Sequence, residues 1–262
     1  MKSVRVGCVK YLNARPLIRG WPGAVEFDHP SALCQRLAKG ELDVALVSSF
    51  EFLRNPIYRI VDDVSISSDG EVYSVVVAHV CEFSDIEEIA LDPASETAVN
   101  LLRCLLAEVG LNPRLIAGNA ARAGLPSPRL IIGDQAIRFR QEHADAFQFW
   151  DLGEEWKKLT GLPFVYALWL IRPEVPDARS IAECLRGLRD RNLADIPAIV
   201  SGALADVSDD KQAITKDFLD CYYKEHLRFD FGTREMQGLQ TFADLCAKHG
   251  VLPKQDREFT FV

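Results

Sequence analysis

Two long apolar segments, near residues 72–80 and 164–171, enclose a block in which short strand patterns alternate with helical ones. Such alternation predicts an α/β fold with mostly parallel sheets flanked by helices. Because one long strand leads into the block and another leads out, we expect two lobes joined by two crossing strands. The first lobe would comprise residues 1–76 and 170–262, with the C-terminal helices, and the second would comprise residues 77–169. A cleft between two lobes is a favoured place for a small ligand.

The charge balance limits the ligands that such a cleft would hold. The 262 residues are 48% hydrophobic and 26% charged, which is typical of a globular protein, and the formal net charge is −8. No run of Lys or Arg is present, so neither nucleic acid nor an anionic membrane surface is an expected partner. A negatively charged small molecule would therefore have to be bound by local donors.

Cysteine and histidine spacing gives no support for a metal site. The seven cysteines occur singly, without a CxxC pair, and the five histidines show no HxxxH or HExxH spacing. We interpret the cysteines as small buried residues of a reduced compartment. A strand pattern begins directly after Met1-Lys2-Ser3, and no apolar run approaches a membrane span. We therefore expect a cytoplasmic protein without metal or cofactor.

The first strand leads into a polar corner that is a candidate ligand site. Residues 4–9 form an apolar strand pattern, Tyr11-Leu12-Asn13 follows, and Pro16 fits the first turn of a helix. Asn13 would lie at the carboxyl end of this strand, where α/β folds bind small molecules.

Several hydroxyl side chains lie at comparable positions further along the chain. Ser48 and Ser49 end a buried strand, where they would cap a helix, bind a ligand carboxylate, or do both. Residues 65–70 have the composition of a turn, and Ser74 interrupts the apolar strand that follows it. Ser74 would either line the cleft or bond to backbone within a sheet.

The second lobe offers an anion site at a helix start. Ser95 and Thr97 precede a periodic helix whose unpaired N–H groups and dipole would favour a carboxylate, although a plain helix cap explains them equally well. Gly133-Asp134 ends another strand, where glycine lets the backbone approach a ligand. Residues 177–250 are almost wholly helical in pattern, and we assign their apolar positions, Tyr222 included, to the core.

Five motifs in order, at matching spacing, carry a family resemblance, although none is specific alone. They are Tyr11-Leu12-Asn13-Ala14-Arg15-Pro16-Leu17, Gly70-Glu71-Val72-Tyr73-Ser74-Val75, Leu91-Asp92-Pro93-Ala94-Ser95-Glu96-Thr97, Leu130-Ile131-Ile132-Gly133-Asp134, and Trp156 with Thr160-Gly161-Leu162-Pro163-Phe164-Val165-Tyr166-Ala167. Over about residues 3–250 the chain resembles the chorismate dehydratases of the futalosine route to menaquinone.

The resemblance implies a two-lobed periplasmic-binding-protein-like fold of type II. It also implies a lyase that converts chorismate, a dicarboxylate, to 3-[(1-carboxyvinyl)oxy]benzoate and water. Asn13 and Ser74 match residues that we expect to be catalytic. The expected substrate-binding positions are Ser48, Ser49, Ser95, Thr97, Ala98, Gly133 and Asp134. Ala98 stands where a second hydroxyl is expected after Thr97, and Ala78-His79 replaces a more usual aromatic-Ser ending, so individual substrate contacts differ from the family pattern.

Neither residue that we expect to be catalytic is a conventional base, because neither Asn nor Ser accepts a proton at neutral pH. We therefore expect the enolpyruvyl carboxylate of the substrate to remove the C3 proton, with Asn13 orienting it and Ser74 or Asn13 assisting departure of the hydroxyl. Asp134 is the alternative base, although a strand-end Asp commonly caps the following helix.

Three other functions fit parts of the pattern. A solute-binding receptor of the same fold would bind a carboxylate without turnover, and the absence of a signal-peptide pattern disfavours it. The dihydroxynaphthoate synthase of the same pathway would be expected to carry a catalytic His in the second lobe. A ligand-sensing domain of a regulator would be preceded by a DNA-binding helix-turn-helix, and no such pattern precedes residue 5.

Overall fold

The computed structural model describes residues 4–92, 95–118, 127–206, 214–255 and 258–262. Within them, ten strands form two five-stranded sheets. The first sheet has the order β2-β1-β3-β10-β4 and the second the order β7-β6-β8-β5-β9. The strands are β1 Val6–Cys8, β2 Val25–Phe27, β3 Val44–Ser48, β4 Arg59–Ser68, β5 Val75–His79, β6 Glu88–Leu91, β7 Arg114–Ala117, β8 Arg129–Ile132, β9 Gln148–Asp151 and β10 Phe164–Ile171.

The helices pack around both sheets. They are α1 Arg15–Ile18, α2 Pro30–Ala38, α3 Ser49–Arg54, α4 Glu96–Glu108, α5 Gly133–Glu142, α6 Leu152–Thr160, α7 Ala178–Leu193, α8 Ile196–Asp206, α9 Lys216–Cys221 and α10 Thr233–Lys248. Short 3₁₀ turns at Leu12–Ala14 and Phe83–Asp85 and a π-helical turn at Tyr222–His226 complete the described elements. None of the helices in this part of the chain is long and apolar enough to cross a membrane.

Each sheet is mixed in the same way. In the first, β1 pairs in parallel with β2 and β3, whereas β10 runs antiparallel to β3 and β4. In the second, β6 pairs in parallel with β7 and β8, whereas β5 runs antiparallel to β8 and β9. Four strands of each sheet therefore share one direction, which confirms the predicted α/β class with mostly parallel sheets.

The two long strands do not cross between sheets, contrary to the sequence prediction. Every residue of β5 that pairs does so in the second sheet, and every residue of β10 that pairs does so in the first. The connections are instead residues 69–74 and the segment of α6 with residues 161–163. The lobe boundaries after residues 76 and 169 stay predictions, and each falls inside one of these strands.

The predicted turn at residues 65–70 is wrong for its first four residues, which continue β4. Ser65 and Ser67 donate their backbone N–H groups to the carbonyl oxygens of Phe229 and Arg228, at 3.1 and 2.9 Å. The Ser65 hydroxyl donates to the carbonyl oxygen of Asp230 at 2.5 Å. The polar composition therefore reflects hydrogen bonding to a distant segment of chain rather than a turn.

C-terminal helices pack against strands of the first sheet. Asn192 of α7 donates its side-chain amide to the carbonyl oxygens of Pro16 and Arg19, both at 2.9 Å, and so ties α7 to α1. Helix α10 packs on β10 and also on α4. The almost wholly helical pattern predicted for residues 177–250 is interrupted near residues 228–230, where the extended chain bonds to β4.

Candidate functional site

A cavity lies between the two sheets, at the ends of several strands. Its volume is about 70 Å³, which is smaller than the about 300–1,000 Å³ of typical small-molecule sites, and part of it is open to solvent. Its walls combine apolar side chains with a few polar ones. The lining residues are Val9, Tyr11, Asn13, Pro30, Leu46, Val47, Ser48, Ile66, Val72, Ser74, Val75, Ser95, Ile132, Gly133, Tyr166 and Ala167.

Asn13 projects into this cavity from the 3₁₀ turn that follows β1. Its carboxamide oxygen is buried and has no hydrogen-bond partner among the described residues. The turn itself is held firmly, because the hydroxyl of Tyr223 donates to the carbonyl oxygen of Leu12 at 2.9 Å. Since an unpaired buried polar atom costs about 1–3 kcal/mol, the arrangement favours a ligand that donates a hydrogen bond to the Asn13 oxygen.

Asp134 holds the same turn from the opposite sheet. Its carboxylate accepts a hydrogen bond from the backbone N–H of Leu12 at 2.9 Å, instead of capping α5 as a strand-end Asp commonly does. Burial raises the pKa of the Asp134 carboxyl, and the Leu12 hydrogen bond opposes that effect. Asp134 is absent from the cavity wall, so its predicted contact with substrate stays a prediction.

Gly133 occupies a position that only a residue without a side chain fits comfortably. Its φ angle is +60°, and a Cβ atom added there would lie 3.3 Å from the ring of Tyr11. Its N–H donates to the carbonyl oxygen of Ser74 at 2.8 Å. The close approach of backbone predicted from the Gly-Asp pair is therefore made to Tyr11 and Ser74.

Ser74 lies in the cavity wall one residue before β5, rather than inside a strand as predicted. Its hydroxyl oxygen accepts a hydrogen bond from the hydroxyl of Tyr222 at 2.8 Å. The preceding residue, Tyr73, has a φ angle of +66°, which is unfavourable for a residue with a side chain. Asp151 compensates by accepting the N–H groups of Val72 and Tyr73, at 3.1 and 2.8 Å.

The hydroxyls of Ser48 and Thr97 hydrogen-bond to each other across the two sheets. Thr97 also lies 3.3 Å from the carbonyl oxygen of Tyr166, to which it donates, and Ser49 donates to the carbonyl oxygen of Val165 at 2.7 Å. Only Ser48 of these three hydroxyl residues lines the cavity. Ser49 and Thr97 lie behind the wall, and their contact with a ligand stays a prediction.

Ser95 combines the two roles considered for it. Its hydroxyl oxygen accepts the N–H of Ala98 at 3.2 Å, which makes it the N-cap of α4, and the residue also lines the cavity. The positive end of the α4 dipole therefore faces the cavity. Ala98 is buried in the first turn and does not line the cavity, so its assignment to substrate binding stays a prediction.

The described cavity wall carries no Asp, Glu, His, Lys or Arg side chain. Its only titratable residues are Tyr11 and Tyr166. Burial raises the pKa of Tyr11 to about 12, helped by the negative charges of Asp92 and Asp134. Burial likewise raises the pKa of the Tyr166 hydroxyl well above its usual value. Both phenols stay neutral at pH 7, so the wall has no formal charge there.

A second cavity adjoins the first and shares Val9 and Tyr11 with it. Its described wall carries Lys10, Arg15 and Arg19, opposed by one carboxylate, Asp206, which pairs with Arg15 at 2.8 Å. Lys10 and Arg19 are exposed, and Lys10 lies 5.9 Å from the ring centroid of Phe27. Tyr11 therefore separates an uncharged cavity from a positively charged one.

Sequence reasoning missed three tyrosines of the site. Tyr11 and Tyr166 stand within the quoted motifs but were not singled out, and their ring contacts and cavity positions depend on the tertiary fold. Tyr222 was assigned to the core, where it indeed lies fully buried, but no local pattern indicates its contact with Ser74. In the described residues no three His, Cys, Asp or Glu side chains are grouped so that they could hold a metal ion.

Comparison with known proteins places the chain in a family. The model of a family described as menaquinone biosynthesis matches residues 4–248. The chain belongs to this family. A curated member from Thermus thermophilus, named chorismate dehydratase, is 28% identical over 264 aligned positions, covering 93% of this chain and 95% of that protein.

Solved structures show the fold to which this family member belongs. The alkanesulfonate-binding protein SsuA from Xanthomonas axonopodis matches with a TM-score of 0.68 at 15% identity, covering 98% of this chain and 96% of that one. The periplasmic aliphatic sulphonate binding protein SsuA from Escherichia coli matches with a TM-score of 0.62 at 13% identity, covering 97% and 89%. The predicted periplasmic-binding-protein-like fold is therefore confirmed.

Proposed function

We propose that the protein is a chorismate dehydratase, a hydro-lyase that forms 3-[(1-carboxyvinyl)oxy]benzoate and water in menaquinone biosynthesis. Family membership over residues 4–248 supports the pathway, and the name of the Thermus thermophilus relative supports the substrate. We propose that the reaction takes place in the cytoplasm, in the cavity between the two sheets. The lobes built on these sheets would separate to admit the substrate and close again around it.

The observation that carries the proposal is the unpaired Asn13 carboxamide oxygen in an uncharged cavity, because this acceptor requires a donor such as the C4 hydroxyl of chorismate. A dicarboxylate that enters this space meets hydroxyl, amide and backbone N–H groups, which bind an anion without neutralising it. No side chain of the described wall would act as a base at neutral pH. We therefore propose that the substrate itself supplies the base.

The enolpyruvyl carboxylate of chorismate fits that requirement. It takes the proton from ring C3, and the electron pair of the C3–H bond is delocalised through the ring diene into the ring carboxylate. The C4–O bond then breaks, the ring becomes aromatic, and the departing hydroxide combines with the transferred proton to give water. The substrate carboxylate is regenerated, so no external oxidant, reductant or cofactor is consumed.

Protein groups stabilise the charge that develops. Ser95 and the N-terminus of α4 would face the ring carboxylate, where preorganised donors stabilise the charge of the deprotonated intermediate. Asn13 would orient the enolpyruvyl carboxylate through its amide N–H groups. Ser74 would donate a hydrogen bond to the departing C4 oxygen.

Asp134 is less suited to act as the base. Its carboxylate already accepts the N–H of Leu12, and the residue does not line the cavity. An arrangement in which Asp134 removed the C3 proton would require its side chain to reach the cavity. The substrate-assisted reaction needs no such movement.

Incubation of the purified protein with chorismate, without added metal or cofactor, tests the proposal. We expect a product lighter by one water, with benzoate absorbance, detected by liquid chromatography and mass spectrometry. Asn13→Ala is expected to lower kcat about a hundredfold, the usual size of losing one transition-state donor. A melting curve of each protein verifies that it is folded.

Two outcomes would replace this function. Unchanged chorismate that nevertheless raises the melting temperature would favour a non-catalytic carboxylate-binding protein of the same fold. Unchanged chorismate without stabilisation would exclude both roles for this ligand. If Asn13→Ala retained full kcat, the proposed reaction would stand but Asn13 would have no role in it.

A further inference from the structure

Tyr222 lies behind the cavity wall and hydrogen-bonds to one of the residues that line it. It is the first residue of the π-helical turn at Tyr222–His226, a rare element that is frequent at functional sites. The side chain is fully buried, with 0% of its surface exposed, and its hydroxyl lies 2.8 Å from the hydroxyl of Ser74. Tyr222 itself does not line the cavity.

The direction of this hydrogen bond follows from the acceptors that are available to each hydroxyl proton. If Ser74 donated to Tyr222, the phenolic proton of Tyr222 would need another acceptor, and the described residues provide none. That proton would then be unpaired in a site without solvent, at the cost of an unsatisfied buried donor. If Tyr222 donates instead, the free proton belongs to Ser74, which lines the cavity and can find water or substrate there.

The other polar groups of Ser74 are already engaged. Its N–H donates to the carbonyl oxygen of Val72 at 2.8 Å, and its carbonyl oxygen accepts the N–H of Gly133 at 2.8 Å. A serine hydroxyl has one proton to donate and two lone pairs. With Tyr222 on one lone pair, the hydroxyl proton is the donor that Ser74 presents to the cavity.

We infer that Tyr222 is a positioning residue that fixes the Ser74 hydroxyl as a hydrogen-bond donor into the cavity. The inference rests on the proposed dehydration, in which Ser74 donates to the departing C4 oxygen. Negative charge grows on that oxygen as the C4–O bond breaks, so a donor is needed and an acceptor would oppose the reaction. Burial raises the pKa of the Tyr222 hydroxyl far above neutral, which keeps its proton in place.

The test is a double-mutant cycle measured on the complete protein with chorismate. Tyr222→Phe removes one oxygen and retains the buried ring. We expect kcat to fall about tenfold, the effect of losing one hydrogen bond, with KM changed by less than about twofold. In a Ser74→Ala background, the same substitution should change kcat by less than about twofold, because the hydroxyl that it positions is gone. Ser74→Thr retains a hydroxyl and should restore the dependence on Tyr222.

Tyr58→Phe is the matched control. Tyr58 is also fully buried, and its hydroxyl donates to Glu51 at 3.2 Å, away from the cavity wall. This variant should leave kcat unchanged even if its melting temperature falls, so a general effect of removing a buried phenol is separated from the positioning of Ser74.

The outcomes distinguish this inference from the proposed function. If the wild-type protein does not convert chorismate, both the proposed function and this role of Tyr222 are wrong. If the wild type is active, an unchanged kcat in Tyr222→Phe overturns the inference alone. An equal fold-loss of kcat in the wild-type and Ser74→Ala backgrounds also overturns it, because Tyr222 would then act without Ser74.

Discussion

The two adjoining cavities differ in charge although they share Val9 and Tyr11. The described wall of the cavity lined by Asn13 and Ser74, the inner cavity, carries no formal charge at pH 7. The described wall of the adjoining cavity lined by Lys10 and Arg19, the outer cavity, carries three cations and one carboxylate. A fixed cation beside a carboxylate lowers its basicity, so a substrate carboxylate that must accept a proton is better placed among neutral donors. Cations are more useful outside, where they attract an anion to a protein of net charge −8.

The comparison shows that holding a substrate in place and attracting it from solution require different kinds of side chain. In the inner cavity, Asn13, Ser74 and Ser95 offer neutral donors at defined positions. In the outer cavity, Lys10 and Arg19 lie exposed on flexible side chains, where they supply charge without fixed geometry. The two regions should therefore respond in opposite ways to a change of one unit of charge.

The largest expected effect is that of a charge placed in the inner cavity. Asn13→Asp retains the shape of the side chain but replaces the amide donor by a carboxylate, which would repel the substrate. We expect kcat/KM for chorismate to fall about a thousandfold, more than in Asn13→Ala, because a like charge is added to the loss of a donor. Steady-state kinetics at one fixed ionic strength measures both variants. If kcat/KM fell equally in Asn13→Asp and Asn13→Ala, the inner cavity would tolerate a negative charge. The proposed difference between the two cavities would then be wrong.

Loss of charge in the outer cavity should have a smaller effect that depends on salt. Lys10→Gln combined with Arg19→Gln is expected to lower kcat/KM about fivefold at low ionic strength and to leave kcat unchanged. The difference should nearly vanish at about 0.5 M salt, where exposed charges are screened.

The control for this pair alters net charge equally at a distance. Lys39→Gln combined with Lys254→Gln removes two exposed cations that line neither cavity. It should leave kcat/KM within about twofold of wild type. If the control variant lost as much as the first pair, overall charge would explain the effect and the outer cavity would have no special role.

The smallest expected effect concerns pH. Tyr11, whose pKa is raised to about 12, and Tyr166, whose pKa is also raised, stay neutral through the working range. We therefore expect kcat to be flat between about pH 6.5 and about pH 9.5, because no wall residue titrates there. Asp134, whose pKa is raised by burial, would be active as a base only when deprotonated. An acid limb in the wild-type kcat, together with a large loss of kcat at every pH in Asp134→Asn, would identify Asp134 as the base in place of the substrate carboxylate.

Local sequence patterns predicted the parts of the site that depend on one element. Asn13 was found because an apolar strand runs into a polar corner followed by Pro16, and this signal is contained in a dozen residues. Ser95 was found because a hydroxyl residue precedes a periodic helix, and it is the observed N-cap of α4. Both features arise from contacts between residues that are near in sequence.

Contacts over long sequence separations were not predictable from one chain. The polar run Ser65–Ser68 resembles a turn until the segment at residues 228–230 supplies its hydrogen bonds. Tyr222 follows the helical apolar pattern of a core residue, and 148 residues separate it from Ser74. The strand β7 at Arg114–Ala117 was missed, since its four residues, Arg-Leu-Ile-Ala, are too few to show an alternation.

The hydrogen bond from Leu12 to Asp134 joins a turn that follows a strand of one sheet to a helix that follows a strand of the other. The Leu12 amide follows β1, and the carboxylate follows β8, 122 residues later. Protection of this amide against exchange with solvent deuterium thus depends on the two halves staying together, rather than on helix or strand stability. The exchange rate of the Leu12 amide, which immediately precedes Asn13, therefore measures how often these two halves separate.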